Sequence, residues 1–205
     1  MAEVDAIRKR IAGPRLLFVG RLVYYKGLHV LLEAAGHWPG TLMIAGEGPL
    51  EGELRARADA LGFGDRVTFL GRISDEELPA YYQASDAFVL PSIARTEAFG
   101  VVQVEAMAAG LPVVSTSLPT GVPWVNQHGD SGLVVPPGDA VALGAAFRRL
   151  AEDHALRQQL AEGARRRADA LFSRDRMLRA FRDVIETVVR TPERLAEHLA
   201  HAQVL

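Results

Sequence analysis

The sequence predicts an α/β fold with a doubly wound, parallel, six-stranded sheet covered by helices on both faces. Six apolar runs of four to six residues recur along the chain, which is the pattern of parallel strands buried on both sides. Segments rich in Ala, Leu, Arg and Glu separate these runs, and such strand–helix alternation builds a parallel sheet. The 205 residues, 49% of them hydrophobic, are enough to bury the core of one such domain.

Each predicted strand is an apolar run that ends at, or just before, a glycine, a proline or a polar residue. The carboxyl ends of parallel strands meet at one edge of the sheet, where open α/β sheets bind their ligands. Residues that directly follow a strand are therefore the first candidates for a functional site. The six predicted strands are Arg15 to Gly20, Thr41 to Gly46, Arg66 to Gly71, Asp86 to Leu90, Leu111 to Thr116 and Gly132 to Val135.

The intervening segments have helical length and composition. Ser74 with Glu77 three residues later is the pattern of a capping box, which predicts that a helix begins there. The predicted helices are Leu28 to Ala35, Leu50 to Leu61, Ser74 to Ala84, Gly100 to Gly110, 139–151, 154–171 and 174–190.

Three segments are predicted along the chain. Residues 1–14 are expected to be a linker or partial helix, because Gly13-Pro14 ends a short mixed-charge segment. Residues 15–190 form the domain itself. Residues 191–205, in which Pro192 begins a last short helix, are predicted as a C-terminal helical tail.

Composition excludes several classes of protein. The net charge of −2 gives no basic footprint for nucleic acid, and the absence of cysteine excludes a disulfide framework or a cysteine nucleophile. No apolar run approaches the roughly 18 residues of a membrane span, and the first residues lack the apolar core of a secretory signal. We therefore expect a cytoplasmic protein that binds no nucleic acid.

The stretch from Pro91 to Gly110 carries two carboxylates, Glu97 and Glu105, eight residues apart. The predicted helix start near Gly100 offers free N–H groups and the positive end of a helix dipole, which favour an anion. If the whole interval were helical, the two carboxylates would lie roughly 12 Å apart along the axis. That span suits a nucleotide sugar, with one carboxylate on sugar hydroxyls, one on ribose hydroxyls and the diphosphate between them. Glu105 is expected to be buried, because it stands among apolar residues and a buried carboxylate needs a partner.

Two cations follow the first strand. Gly20-Arg21 ends that strand and Lys26-Gly27 opens the next helix. Arginine offers a planar fork to phosphate oxygens and lysine a point charge, and a leaving diphosphate needs both as its charge grows. A solvated basic turn is the alternative interpretation.

The second strand is followed by Gly46-Glu47-Gly48, which invites comparison with the dinucleotide fingerprint G-x-G-x-x-G. The third glycine is replaced by Glu51, and no P-loop pattern occurs, so a nicotinamide-dependent dehydrogenase and a P-loop enzyme are both excluded. We interpret the segment as a tight turn that lets Gly46 approach a ligand, and a plain strand-to-helix turn is the alternative.

Five motifs resemble those of glycosyltransferase family 4, a retaining family with the two-domain GT-B fold, and they occur along the chain in the same order as in that family. The first is the pair of glutamates, Glu97-Ala98-Phe99-Gly100 followed by Glu105, which looks like that family's "Glu, seven residues, Glu" pattern. The others are Gly20-Arg21 with Lys26-Gly27, Gly46-Glu47-Gly48-Pro49, Val67 to Gly71 and Gly132 to Pro136. The resemblance covers residues 15 to about 190 and implies the Rossmann-like, donor-binding, C-terminal domain of such an enzyme.

The resemblance also implies the site. Arg21, Lys26 and Glu97 would be catalytic, with Glu97 on the transferred sugar, Glu105 on the ribose, and the backbone of Arg72-Ile73 on the base. Ser92, Arg95 and Thr96 are further candidates for the sugar pocket. The implied nucleotide-sugar contacts are Gly20, Arg21, Lys26, Gly46, Arg72, Ile73, Glu97, Ala98, Phe99, Gly100, Val101 and Glu105.

No metal or cofactor is expected. The chain contains no Asp-x-Asp motif and its six histidines have no ligand spacing, so Arg21 and Lys26 are expected to replace a metal ion on the diphosphate. The substrate would be a nucleotide-diphosphate sugar, with UDP or GDP as the nucleotide.

Two alternatives stay open beside metal-independent sugar transfer to a hydroxyl acceptor. One is a nucleotide-sugar binding module without catalysis, and the other is a nucleotide-sugar epimerase of the same fold. The N-terminal, acceptor-binding domain is expected to be missing, so the isolated chain would bind donor without efficient transfer. Any peripheral membrane association would come through that domain. Apolar side chains around Val23-Tyr24-Tyr25 and from Leu118 to Trp124 should then be exposed.

Overall fold

The structure, a computed structural model, describes residues 2–190 and contains the predicted six-stranded sheet. The strands lie in the order β3-β2-β1-β4-β5-β6, and every neighbouring pair is parallel. The strands are β1 (Arg15–Val19), β2 (Thr41–Ala45), β3 (Val67–Gly71), β4 (Ala87–Leu90), β5 (Val113–Thr116) and β6 (Gly132–Val135).

The helices agree with the sequence-based bounds to within a residue or two, except at three places. The first is an unpredicted single turn, VPWV, whose four residues are too few to show helical periodicity. The other two concern the first and the fourth helix. The helices are α1 (Ala2–Arg10), α2 (Leu28–Ala34), α3 (Glu51–Ala60), α4 (Leu78–Ala84), α5 (Val101–Ala108), α6 (Val122–Val125), α7 (Ala140–Glu152), α8 (His154–Leu171) and α9 (Arg174–Arg190).

The segment before β1 is a packed helix and not a linker. Ile7 of α1 and Ile11, four residues later, are both about 95% buried, at 4% and 5% exposure. Arg8 donates to the carbonyl oxygen of Gln83 at 2.8 Å, and Arg10 donates to the hydroxyl of Tyr81 at 2.9 Å. Of the two predictions, a linker or a partial helix, the i, i+4 spacing of this apolar pair favours the helix.

Helix α4 begins three residues later than predicted, with Glu77 and not Ser74 at its N-cap. The hydroxyl of Ser74 does donate to the carboxylate of Glu77 at 2.9 Å, and the Glu77 N–H lies 3.3 Å from the Ser74 hydroxyl oxygen. These contacts close a turn before the helix. A helix already running at Asp75 would need an N–H from Pro79, which has none, so the α-helix begins at Leu78 with proline in its first turn.

The core lies on both faces of the sheet. All residues of β2 and β4 are buried, as expected for central parallel strands. On one face, Trp38 packs edge-on against Phe147 of α7, with ring centroids 6.5 Å apart. Burying one large apolar side chain stabilises the fold by about 1.5–3 kcal/mol, so these layers hold the strand ends in fixed positions.

The chain divides into two compact units, Met1–Arg167 and Ala168–Leu205. The first contains the whole sheet. The second is described only as far as Arg190 and contains α9. The domain predicted over residues 15–190 stays a prediction, and the tail predicted over residues 191–205 lies outside the described residues.

Strands β1 and β4 are neighbours although the chain leaves them toward opposite edges of the sheet. This is the topological switch point of a doubly wound sheet, and the crevice outside its carboxyl ends is where such folds bind ligands. The loops after β1 and β4 hold most of the predicted site residues.

Candidate functional site

A buried ion pair joins the two loops at the switch point. Lys26 ends a short 3₁₀ turn after β1, and Glu97 lies in the loop after β4. The Nζ of Lys26 lies 2.5 Å from Oε2 of Glu97, and the two residues are only 8% and 7% exposed. Removing two charges from water is costly unless they are paired, so each side chain fixes the other in place.

Gly27 allows the two loops to come this close. Its φ of 71° is a left-handed conformation, and a Cβ atom built on it would lie 2.1 Å from the carbonyl oxygen of Pro91. Beside it, the N–H of Ile93 donates to the carbonyl oxygen of Tyr25 at 2.8 Å. Only glycine fits this contact, and the contact brings Lys26 to Glu97.

Glu97 has a second buried partner, Ser92. The Ser92 hydroxyl donates to Oε2 of Glu97 at 2.8 Å, and the hydroxyl of Thr116, at the end of β5, donates to the Ser92 carbonyl oxygen at 2.6 Å. Ser92 is therefore placed behind Glu97. Arg95 and Thr96, predicted with it, are exposed.

A cleft of about 540 Å³ opens at the ends of β1, β2 and β3. Arg21 is exposed there, and its side chain forms no hydrogen bond or ion pair with any other residue from 2 to 190. Its guanidinium group is available to an anion. The predicted residues in the cleft wall are Gly20, Arg21, Gly46, Arg72 and Ile73.

Gly46 is required by a neighbouring strand end. A Cβ atom on Gly46 would lie 2.0 Å from the carbonyl oxygen of Gly20. The sequence predicts that Gly46 approaches a ligand closely, but the close approach in the structure is between the backbones after β1 and β2. Gly46 still lines the cleft, so its backbone remains accessible to a ligand.

The prediction that Glu105 is buried is wrong. Helix α5 buries Gln103, Ala106 and Met107, and Glu105 lies on its exposed side. The Tyr82 hydroxyl donates to Oε2 of Glu105 at 2.8 Å. Apolar neighbours in sequence do not predict burial, because the adjoining Ala106 and Met107 face inward while the glutamate faces outward.

Tyr82 contacts the predicted site residue Glu105, and the sequence did not indicate this contact. It is 3% exposed on α4, and burial, followed by the adjacent negative charge of Glu105, raises its pKa well above the ordinary value. The hydroxyl therefore stays a neutral donor at physiological pH. No local pattern reveals this contact, since the two residues are 23 positions apart and the neighbouring Tyr81 offers the same side chain.

Tyr82 and Glu105 line a second cleft of about 430 Å³ between α4 and α5. Asp75 and Leu78 lie in the walls of both clefts, which therefore adjoin. The two clefts connect the Arg21 end of the site with Glu105.

The remaining predicted site residues lie at, or just before, the start of α5. Gly100 precedes the helix with a φ of 71°, and no side chain caps the first turn within the described residues. Val101 is 62% exposed, Ala98 is exposed and Phe99 is half-buried. The ring of Phe99 lies 6.2 Å from that of Trp124, centroid to centroid.

A larger cleft, of about 770 Å³, surrounds the edge strand β3 but contains none of the predicted site residues. Within residues 2–190, no group of three histidine or carboxylate side chains is placed to hold a metal ion. In the same range, every helix is too short or too polar to cross a bilayer.

Comparison with known proteins decides the family. The family model described as "Glycosyl transferases group 1" matches residues 5–167, which is most of the chain. The chain belongs to this family.

Curated relatives include the D-rhamnosyltransferase WbpZ of Pseudomonas aeruginosa, 44% identical over 162 residues, or 78% of this chain and 42% of that protein. The O-antigen chain mannosyltransferase C of Escherichia coli is 36% identical over 182 residues, or 89% of this chain and 49% of that protein. The chain spans about half the length of these relatives.

The solved structure of Anabaena Alr3699/HepE in complex with UDP superposes with a TM-score of 0.84 at 26% identity. The match covers 91% of this chain and 53% of that one. The fold is therefore the Rossmann-like half of a GT-B glycosyltransferase, as the sequence predicted.

Proposed function

We propose that this chain is the donor-binding half of a retaining, metal-independent glycosyltransferase of family 4. The whole enzyme would transfer a sugar from a nucleotide-diphosphate sugar to a hydroxyl acceptor. The observation that carries the proposal is the Lys26–Glu97 pair at the switch point, beside a cleft that holds Arg21, whose side chain is unpaired among residues 2–190. The HepE complex with UDP supports a nucleotide donor for the same fold.

The donor follows the two adjoining clefts. The base lies against the backbone of Arg72-Ile73, and the ribose hydroxyls meet Glu105. The diphosphate takes its charge-assisted hydrogen bonds from Arg21 and from the N–H groups at the start of α5. Lys26 contributes as well, because an ammonium group has three donors and only one is used within the described residues.

The sugar lies against Glu97, whose carboxylate orients its hydroxyls. In the reaction, the bond between the sugar carbon and the diphosphate oxygen breaks. The acceptor oxygen bonds to the same face of the sugar, and the acceptor proton passes to the leaving diphosphate. Arg21 and Lys26 stabilise the charge that grows on that diphosphate. Glu97 forms no covalent bond to the sugar.

The acceptor belongs to the other half of the whole protein, since the relatives are about twice as long as this chain. These residues alone should bind donor without efficient transfer, because orienting an acceptor can supply about 7–11 kcal/mol of a barrier. Two of the apolar side chains expected to face that half are exposed, Tyr24 at 68% and Trp124 at 44%. Leu118 and Val122 of the same expected patch are buried.

A thermal-shift screen with UDP, GDP and ADP and their sugars tests the proposal. A nucleotide at 100 times its dissociation constant should stabilise the chain by about 2.7 kcal/mol. Arg21→Ala should reduce that shift for the diphosphate but not for the nucleoside, because Arg21 meets only phosphate. Absence of a shift with all three nucleotides would contradict donor binding.

Assays of the whole protein separate sugar transfer from the alternatives. Transfer to an acceptor supports the proposal, interconversion of sugar nucleotides without an acceptor supports an epimerase, and binding without turnover supports a binding module. Turnover by these residues alone, on the order of 1 per second, would contradict their incompleteness.

A further inference from the structure

We propose that Tyr82 is a positioning residue that orients Glu105 toward the two ribose hydroxyls of the nucleotide. The inference rests on the proposed function, because it takes Glu105 as the ribose contact. It adds to the proposed ribose site a side chain from a different helix, α4, whose role the motif of two glutamates does not indicate.

The Tyr82 ring is fixed before any ligand binds. It is 3% exposed and packs against Phe88 of the central strand β4, with ring centroids 5.9 Å apart. Its hydroxyl has one proton, and the carboxylate of Glu105 at 2.8 Å is a nearer acceptor than the Val102 carbonyl oxygen at 3.3 Å. A buried ring therefore holds an exposed carboxylate from behind.

Glu105 needs such a partner more than Glu97 does. It lies on the exposed side of α5, and no lysine or arginine pairs with it among residues 2–190. An exposed glutamate otherwise moves among several rotamers, and ordering it costs free energy when a ligand binds. The bond from Tyr82 removes part of that cost in advance.

The bond also leaves acceptor capacity free. Tyr82 occupies Oε2, and Oε1 receives no hydrogen bond from the described residues. A carboxylate has about four acceptor positions, so it can receive two ribose hydroxyls while the phenol stays bound. The raised pKa of Tyr82 keeps the phenol protonated, so it donates to the carboxylate throughout the neutral range.

The test compares Tyr82→Phe with wild type on two probes, UDP and its 2′,3′-dideoxy analogue, by titration calorimetry. If UDP does not bind wild type, GDP or ADP takes its place with its own dideoxy analogue. We expect Tyr82→Phe to weaken the ribonucleotide about tenfold and to leave the dideoxy nucleotide within about twofold. A tyrosine that merely supports the fold would change both affinities equally.

Tyr81→Phe is the matched control, because it removes a hydroxyl from the same helix that contacts Arg10 and not Glu105. It should change neither affinity. In a Glu105→Ala background, Tyr82→Phe should have no further effect on the ribonucleotide, since the residue through which it acts is gone.

Four outcomes would overturn the inference. Equal weakening of both nucleotides by Tyr82→Phe, or full additivity with Glu105→Ala, would show that Tyr82 does not act through Glu105 on the ribose. Wild type that binds both probes equally would show that Glu105 does not contact the ribose, while donor binding stands. Wild type that binds none of the three ribonucleotides overturns the proposed function and this inference with it.

Discussion

The two glutamates of the site occupy opposite environments. Glu97 is buried, and its Oε2 is shared between the Lys26 ammonium and the Ser92 hydroxyl. Glu105 is exposed, has no cationic partner among residues 2–190, and is held by the neutral hydroxyl of Tyr82. The sequence offers them as a matched pair, but in the structure one joins two loops in the interior and the other remains accessible at the surface.

This difference follows from where each residue lies relative to the sheet. Glu97 comes directly after the buried strand β4, and the closely packed loop after β1 supplies its lysine. Glu105 lies in the second turn of α5, on the exposed side that it shares with Val101 and Ala108, while Ala106 and Met107 face inward. Burying a charge costs free energy unless an opposite charge pairs with it, whereas an exposed charge stays hydrated and needs no such partner.

Breaking the buried pair should have the largest effect. Lys26→Met leaves the Glu97 carboxylate without its cation, and loss of one member of a buried pair costs about 3–5 kcal/mol. Urea unfolding should show this loss, whereas Glu105→Ala should lower the free energy of unfolding by less than about 1 kcal/mol.

A double variant isolates the cause of that loss. Lys26→Met combined with Glu97→Leu removes both charges and should recover more than half of the lost stability, because no unpaired charge remains. If the double variant is no more stable than Lys26→Met alone, packing around the lysine stem, and not the charge, would explain the loss.

Ligand binding should separate the two carboxylates in a second way. Glu105→Ala should weaken the binding free energies of a nucleoside diphosphate and of its sugar nucleotide by the same amount, about 1.5–3 kcal/mol, because both ligands carry the ribose. Glu97→Gln, which keeps the side-chain shape, should weaken the sugar nucleotide more than the nucleoside diphosphate, because any change at Lys26 acts on both ligands and the lost sugar contact acts on one.

Calorimetry with both ligands on both variants gives the dissociation constant of the sugar nucleotide divided by that of the nucleoside diphosphate. We expect that ratio to stay at the wild-type value for Glu105→Ala and to rise for Glu97→Gln. The reverse pattern would exchange the two assignments, and unchanged ratios in both variants would remove Glu97 from the sugar.

Much of this arrangement could be predicted from the sequence. The apolar runs predict all six strands, and the strand ends place Arg21, Lys26 and Glu97 in loops at one edge of the sheet, because parallel strands share that edge. The partners of these residues could not be predicted. Tyr82 and Thr116 reach the site from other elements, and contacts between elements leave no local pattern.

The smallest expected effect concerns the phenol beside Glu105 at high pH. Burial and the negative charge of Glu105 raise the pKa of Tyr82 in the folded protein, while in the unfolded chain a tyrosine ionises near its ordinary value of about 10. Below that pH both states hold the proton, so Tyr82 contributes no pH dependence to stability.

Above about pH 10 only the unfolded chain loses the proton, so the free energy of unfolding falls as the pH rises. By pH 10.5 this one group should lower it by about 1 kcal/mol. Tyr82→Phe removes the group, so the stability difference between wild type and the variant should be constant from pH 7 to 9 and should shrink above pH 10 in favour of the variant. Chemical unfolding at each pH measures that difference. A difference that stays constant to pH 10.5 would mean that the folded protein exposes the phenol to solvent, and the contrast between a buried tyrosine and its exposed carboxylate would fail.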